Sequence, residues 1–146
     1  MYGYNPYQKN QIQEASQEDI LLQLIEGGIV RLKQARDLWN RGEKGRARER
    51  RQRAYEIIAY LDGTLDRENG GEIADELEAL YAYMLREITT SVRTDDFGCL
   101  SDVEDVLATL YEGWKDAVIE YKKEQKAKQM GGYSGQEEHA HVASVG

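Results

Sequence analysis

Residues able to carry out chemistry are scarce in this 146-residue chain and poorly placed for it. The only histidines, His139 and His141, and the only cysteine, Cys99, fall outside the stretches whose apolar residues repeat at helical spacing. Glu138 to His141 spells E-x-x-H, the unit that di-iron bundles carry on two facing helices, but here it occurs once. Two histidines without further ligands make a poor metal site. Cys99 precedes a helix start, where the helix dipole would make a thiol more acidic, yet no histidine or lysine stands beside it to support a nucleophile. No cofactor, metal or catalytic set is expected, and the pattern favours a binding module over an enzyme.

One charged motif remains. Residues 31 to 53 hold ten Lys/Arg against three Asp/Glu, a balance of +7 in a chain of net charge -8, so the rest carries -15. Within it, Arg46, Arg48, Arg50, Arg51 and Arg53 could neutralise phosphates, which would give binding that weakens steeply with salt. A nucleic-acid-binding bundle is therefore the alternative to protein binding. Against it, no nucleic-acid motif accompanies the arginines, the sequence pI is about 4.9, and the arginines circle the helix instead of forming one stripe.

The elements that must position these residues follow from periodicity. Residues 1 to 15 carry Tyr2, Tyr4, Tyr7 and the only proline, Pro6, with no sustained period, and read as an aromatic N-terminal arm. Ser16 and Asp19 resemble a capping box with Asp in the Glu place. Leu21, Leu24, Ile25, Gly28, Leu32, Ala35 and Trp39 then predict a first helix over about 17 to 41. Ala47, Arg50, Ala54, Ile57, Ile58, Leu61 and Leu65 mark a second over about 46 to 66. Asn69, Gly70 and Gly71 break the pattern, and Glu72 opens a third with the stripe Ile73, Leu77, Leu80, Tyr81, Met84, Ile88 and Val92. Ser101 and Glu104 spell a full capping box ahead of Val103, Val106, Leu107, Leu110, Trp114, Ala117, Val118 and Tyr121, a fourth helix over about 102 to 126. From there the composition turns polar, and 127–146 is expected to be a disordered tail.

Four long helices joined by short connectors must be antiparallel neighbours, so the expected fold is all-α, an antiparallel up-down four-helix bundle over 16–126. One cysteine excludes an internal disulfide. No apolar run spans a membrane and no signal region opens the chain, so the expected localisation is cytoplasmic, in a bacterial cell given the resemblance below. The apolar arcs are wider than the roughly 100° that core burial needs. Ile20 and Leu38 widen the first helix on one flank and Ile29 on the other. Tyr55, Ala59 and Asp62 sit beside Ile58 on the second, and Tyr81, Val92 and Leu85 lie at one edge of the third. Apolar surface should remain uncovered after the bundle closes, and the candidate contacts for a partner are Ile25, Ile29, Tyr55, Ile58, Ala59, Asp62, Tyr81 and Leu85. Gly27 and Gly28, each unfavourable by about 1 kcal/mol against alanine inside a helix, imply a close approach, either by a bundle neighbour or by a partner helix.

Several runs together resemble a known family. They are Asn5-Pro6-Tyr7 with Asn10, Ala15-Ser16 leading into an apolar helix with Gly27, Gly70-Gly71-Glu72-Ile73-Ala74, Leu80-Tyr81-Ala82-Tyr83-Met84, and Trp114-Lys115-Asp116-Ala117. In order and spacing, over roughly residues 5 to 122, they are similar to the bacterial flagellin-export chaperones, the FliS family. The Arg-rich run and the Gly/Gln/His tail lie outside the resemblance. It implies a helical bundle, acting as a chaperone domain, that binds the C-terminal segment of flagellin, prevents premature polymerisation and aids delivery to the flagellar export apparatus. Components of the export gate would be further partners. It also implies an N-terminal arm near the groove, which makes Tyr7 and Ile12 candidates for a removable cover.

Overall fold

A computed structural model describes residues 16–131. They form four α-helices and, among the described residues, no strand: α1 (Gln17–Asn40), α2 (Lys44–Gly63), α3 (Gly71–Thr94) and α4 (Leu100–Gly131). The fold class is all-α, an antiparallel four-helix bundle. Its direction is legible in cross-helix pairs among residues up to Tyr111, the first of two compact units. Gly28 lies against Ile57 across the short α1–α2 turn, Arg48 and Arg51 of α2 meet Asp95 and Ser91, and Arg36 of α1 meets Glu104 of α4. The second unit starts at Glu112 and continues α4, with Ile119, Tyr121 and Met130 exposed along it.

Local chemistry sets the helix ends. Ser16 is the N-cap of α1, accepting a hydrogen bond from the Asp19 backbone N–H at 3.1 Å while its hydroxyl donates to the Asp19 carboxylate at 2.9 Å. Between α2 and α3 the chain turns on two glycines. A Cβ on Gly70 would lie 2.5 Å from both the Asp66 carbonyl oxygen and the Ala74 Cβ, and Gly71 has φ +58. Only glycine fits both demands without strain. Asp95 caps α3 in the left-handed region at φ 53, which Asp tolerates better than most residues.

The start of α4 departs from the expected capping box. The helix already includes Ser101, whose hydroxyl donates to the Gly98 carbonyl, and the first amide N–H groups bond to Phe97, Gly98 and Cys99 carbonyls. Glu104 instead turns inward and, nearly buried, accepts from Arg36 at 2.5 and 3.3 Å. An ion pair with a helix distant in sequence displaces the local cap because a nearly buried carboxylate needs a cationic partner. The fourth helix also runs to Gly131, beyond the expected end near 126.

Between α1, α2 and α4 the core is aliphatic: Ile25, Leu32, Ala35 and Leu38 from α1, Ala54, Ile58 and Leu61 from α2, Val103 and Leu107 from α4. Gly27 and Gly28 receive bundle neighbours, not a foreign helix: a Cβ on Gly28 would stand 3.2 Å from Leu107 Cδ1 and 3.7 Å from Ile57 Cγ2, and one on Gly27 3.6 Å from Ile57 Cδ1. On α3 the buried set is Ala74, Tyr81, Met84, Ile88 and Ser91. Ile73, Leu80 and Val92, expected in the core stripe, are exposed. Ser91 enters the core because Arg51, only 4% exposed, brings its guanidinium there and donates to the Ser91 carbonyl and hydroxyl, both at 3.0 Å.

That arginine belongs to a polar and aromatic layer at the end of the bundle that carries the α1–α2 and α3–α4 turns. Trp39 stacks on Phe97 with centroids 4.3 Å apart, Arg51 lies over Phe97, and Lys44 and Arg48 lie over Trp39. Asp95 accepts from Arg48 at 2.8 Å and lies 3.5 Å from Arg51. The Arg48 hydrogen bond, with the charges of Arg48 and Arg51, holds the Asp95 carboxyl below its ordinary value. A depressed folded-state pKa stabilises the fold above the unfolded value, near 3.9, and that stabilisation disappears as pH falls through the lower folded value. Asp95→Asn should therefore lower the urea midpoint at pH 7, with the gap to the parent chain narrowing as pH drops below about 4. Equal gaps at pH 7 and pH 3 would show that the carboxylate contributes nothing.

Candidate functional site

The α2/α3 seam carries accessible apolar surface. On α2, Tyr55 and Asp62 are half-buried and Ala59 is exposed, on the flank from which Arg48 reaches Asp95 of the α3 cap. On α3, Glu78, Leu85 and Val92 follow each other at seven-residue spacing, which keeps them on one flank. Glu78 meets Arg67, which also grips Asp62 at 2.8 Å, so this flank faces α2. Leu85 is half-buried and Val92 is 51% exposed. Tyr55, Ala59, Leu85 and Val92 thus make an apolar strip, closed at one end by the Arg67–Asp62–Glu78 cluster and at the other by Arg48 and Asp95.

Three candidate contacts are corrected. Ile25, Ile58 and Tyr81 are core residues, fully or almost fully buried, and present no surface to a partner. Each stands in line, at seven-residue spacing, with another buried residue of its own helix: Ile25 with Leu32, Ile58 with Arg51, and Tyr81 with Ala74 and Ile88. Burial, followed by the charge of Asp62, raises the Tyr81 phenol above its ordinary value, as expected of a hydroxyl in the core. Ile29 is half-buried on the flank of α1 that carries Arg36 toward α4, so it does not join the α2/α3 strip. Tyr55, Ala59 and Asp62 share one flank of α2, and Leu85 lies on the flank of α3 that carries Glu78. Tyr7 and Ile12 lie outside the described residues.

A second groove, not anticipated, runs along the opposite flank of α2. Leu24 and Arg31 of α1 and Arg50, Arg53, Glu56, Ile57 and Tyr60 of α2 line a hollow of about 450 Å³. Leu24 and Ile57 are half-buried in it, and Tyr60 is 59% exposed. Sequence reasoning placed Leu24 and Ile57 in the core and missed Tyr60. The signal available was Tyr60 itself, an aromatic three residues after Ile57 on the face turned from Ile58.

The basic run is divided by the fold. Arg46 pairs with Glu43 at 2.7 Å, Arg48 with Asp95 at 2.8 Å, and Arg51 is consumed by the core contacts described above. Arg50 and Arg53 alone of the five border the second groove. Cys99 is half-buried with its Sγ 3.3 Å from the Asp96 carbonyl oxygen. Burial first, then the Asp96 and Glu87 charges, push its thiol up, opposite to the shift expected from a helix N-terminus. Among the described residues no group of three His, Cys, Asp or Glu could hold a metal ion, and none of the described helices is long and apolar enough to cross a membrane. His139, His141 and Glu138 lie outside the described residues.

Comparison with known proteins agrees with this architecture. Residues 1–121 match the family model described as flagellar protein FliS. The flagellar secretion chaperone FliS of Vibrio cholerae is 32% identical over 112 residues, 77% of this chain and 82% of that protein. FliSB of Pseudomonas aeruginosa, also a flagellar secretion chaperone, is 32% identical over 104 residues, 71% of this chain and 82% of its own. FliS of Bacillus subtilis is 27% identical over 121 residues, covering 83% and 90% of the two chains. A family match over most of the chain, joined to an all-α bundle with an uncovered apolar strip, leads to one conclusion: this chain belongs to the FliS family of flagellar proteins.

Proposed function

We propose that this protein is a chaperone of flagellar export that holds the disordered C-terminal segment of flagellin in the cytoplasm. In that role it prevents premature polymerisation and presents its client to the export apparatus, whose gate components would be further partners. The observation that carries the reading is the accessible apolar strip Tyr55, Ala59, Leu85 and Val92 on a bundle of this family. Asp62, at the end of the strip, accepts from Arg67 through Oδ1, and its other carboxylate oxygen could accept from a client N–H. Tyr7 and Ile12 would cover the strip between clients, keeping apolar surface from aggregating.

The physics is folding coupled to binding. A disordered segment laying an amphipathic helix on the strip would bury on the order of 1,000 to 3,000 Å² in all, while a few kcal/mol of the interaction offsets its ordering. A long shallow bed suits such a client better than a deep pocket. Titrating a peptide of the flagellin C-terminal segment into the full chain should give a one-to-one complex by calorimetry and a gain of helical circular dichroism. No heat and no added helicity at micromolar concentrations would overturn the reading.

A further inference from the structure

The groove between α1 and α2 is not used by that reading, and its residues specify a different occupant. Its floor is apolar, Leu24 and Ile57, with the exposed ring of Tyr60 as a wall. Its charged lining is three arginines, Arg31 on α1 and Arg50 and Arg53 on α2, against one carboxylate, Glu56, so the groove is cationic on balance. Arg31 makes no ion pair among the described residues. Arg50 and Arg53 reach only their sequence neighbours Glu49 at 2.9 Å and Glu56 at 3.7 Å, surface pairs of the kind worth under about 1 kcal/mol and readily exchanged. From Arg50 to Tyr60 the groove follows α2 for about 15 Å, roughly three helical turns.

We propose that this groove docks an acidic amphipathic helix from a second protein, separate from the client on the α2/α3 strip. The partner's apolar stripe would lie on Leu24, Ile57 and Tyr60. Carboxylates on its two edges would meet Arg31 on one side and Arg50 and Arg53 on the other, as charge-assisted hydrogen bonds with planar guanidinium groups. Charge complementarity argues for this occupant. The chain carries -8 overall, so a cationic groove on it is a local feature that steers an acidic segment to one place. Nucleic acid fits less well: three arginines release few counterions, the other three of the basic run are engaged elsewhere, and an apolar floor offers nothing to phosphates.

The test uses the full chain and a fluorescein-labelled synthetic peptide of three to four helical turns, with leucines at i, i+3 and i+7 spacing and glutamates on both flanks. Fluorescence anisotropy at low salt should show saturable binding, at least tenfold weaker for the peptide with every Glu replaced by Gln. The doubly substituted chain Arg31→Glu, Arg53→Glu should lose at least tenfold in affinity. Tyr60→Ala, at a site too exposed to threaten the fold, should lose several-fold, with unchanged circular dichroism in each case. Ala59→Glu, which lies on the other flank of α2, should leave this binding intact while abolishing the flagellin complex, so the two surfaces fail independently. Equal binding of the Gln peptide, or indifference to the arginine reversals, overturns the proposal. So does tighter binding of a single-stranded oligonucleotide of matched charge, or a dimer seen by light scattering that the same reversals abolish, since either names another occupant.

Discussion

Replacing Ile58 by aspartate should unfold the protein, whereas aspartate at the adjacent Ala59 should leave it folded and remove client binding. Ile58 has no accessible surface. Truncating a buried isoleucine alone costs about 2 to 5 kcal/mol, and the new carboxylate would lie in an aliphatic core with no donor provided for it. Domains of this kind have about 5 to 15 kcal/mol in total, so the variant is expected to show little helical signal at 25 °C or a greatly reduced urea midpoint. Ala59 is one residue on, about 100° around the helix, and exposed. A charge there should shift stability by no more than about 0.5 kcal/mol. It would nevertheless place a desolvated carboxylate under the client's apolar face and weaken binding at least tenfold. Circular dichroism with urea titration separates the two outcomes. An Ile58→Asp chain with a native midpoint would show that Ile58 does not belong to the core.

The second large effect concerns Arg51. Arg51→Ala should destabilise the bundle by about 3 kcal/mol, because the Ser91 hydroxyl and carbonyl lose their donor, Phe97 loses its overlying cation, and a cavity opens in the layer. The guanidinium is itself costly to place there: burial, opposed by Asp95, lowers its pKa. A buried ionic group of this sort can often be replaced by apolar side chains of similar volume without loss, provided its partner is replaced too. Arg51→Met with Ser91→Ala should therefore recover more than half of what Arg51→Ala loses, measured as urea midpoints at pH 7. A double variant no better than the single one would mean that the Arg51–Asp95 contact, not the Ser91 pair, supplies the stability.

Together these outcomes bear on how an export chaperone of the FliS family divides its surface. The two flanks of α2 differ in chemistry. One is an apolar strip between two ion-paired ends, shared with α3, and the other is a cationic, apolar-floored groove shared with α1. The helix between them has its core-facing positions filled by Ala47, Arg51, Ala54, Ile58 and Leu61, with two alanines keeping its neighbours close. A helix this densely used leaves few positions neutral to substitution.

The helices themselves were legible in the amino-acid order alone, because apolar spacing and capping act within a turn or two of the residue concerned. Expected spans of 17 to 41 and 46 to 66 lie within three residues of Gln17–Asn40 and Lys44–Gly63, and the glycine break at 70 and 71 opened α3 as anticipated. Short connectors then left little choice but an antiparallel arrangement. Which edge of each apolar arc is covered was decided only in three dimensions. Ile58 and Ala59 both lie on the broad arc, and packing of the bundle seals the first and leaves the second open. The same holds for Glu104, which local pattern assigned to a cap and which Arg36, 68 residues away in sequence, draws into an ion pair. Ser91 displaces Val92 from the core for a like reason, since a guanidinium arriving from another helix needs an acceptor there. Burial and pairing depend on where a neighbour's surface ends, and periodicity along one helix carries no information about that distance.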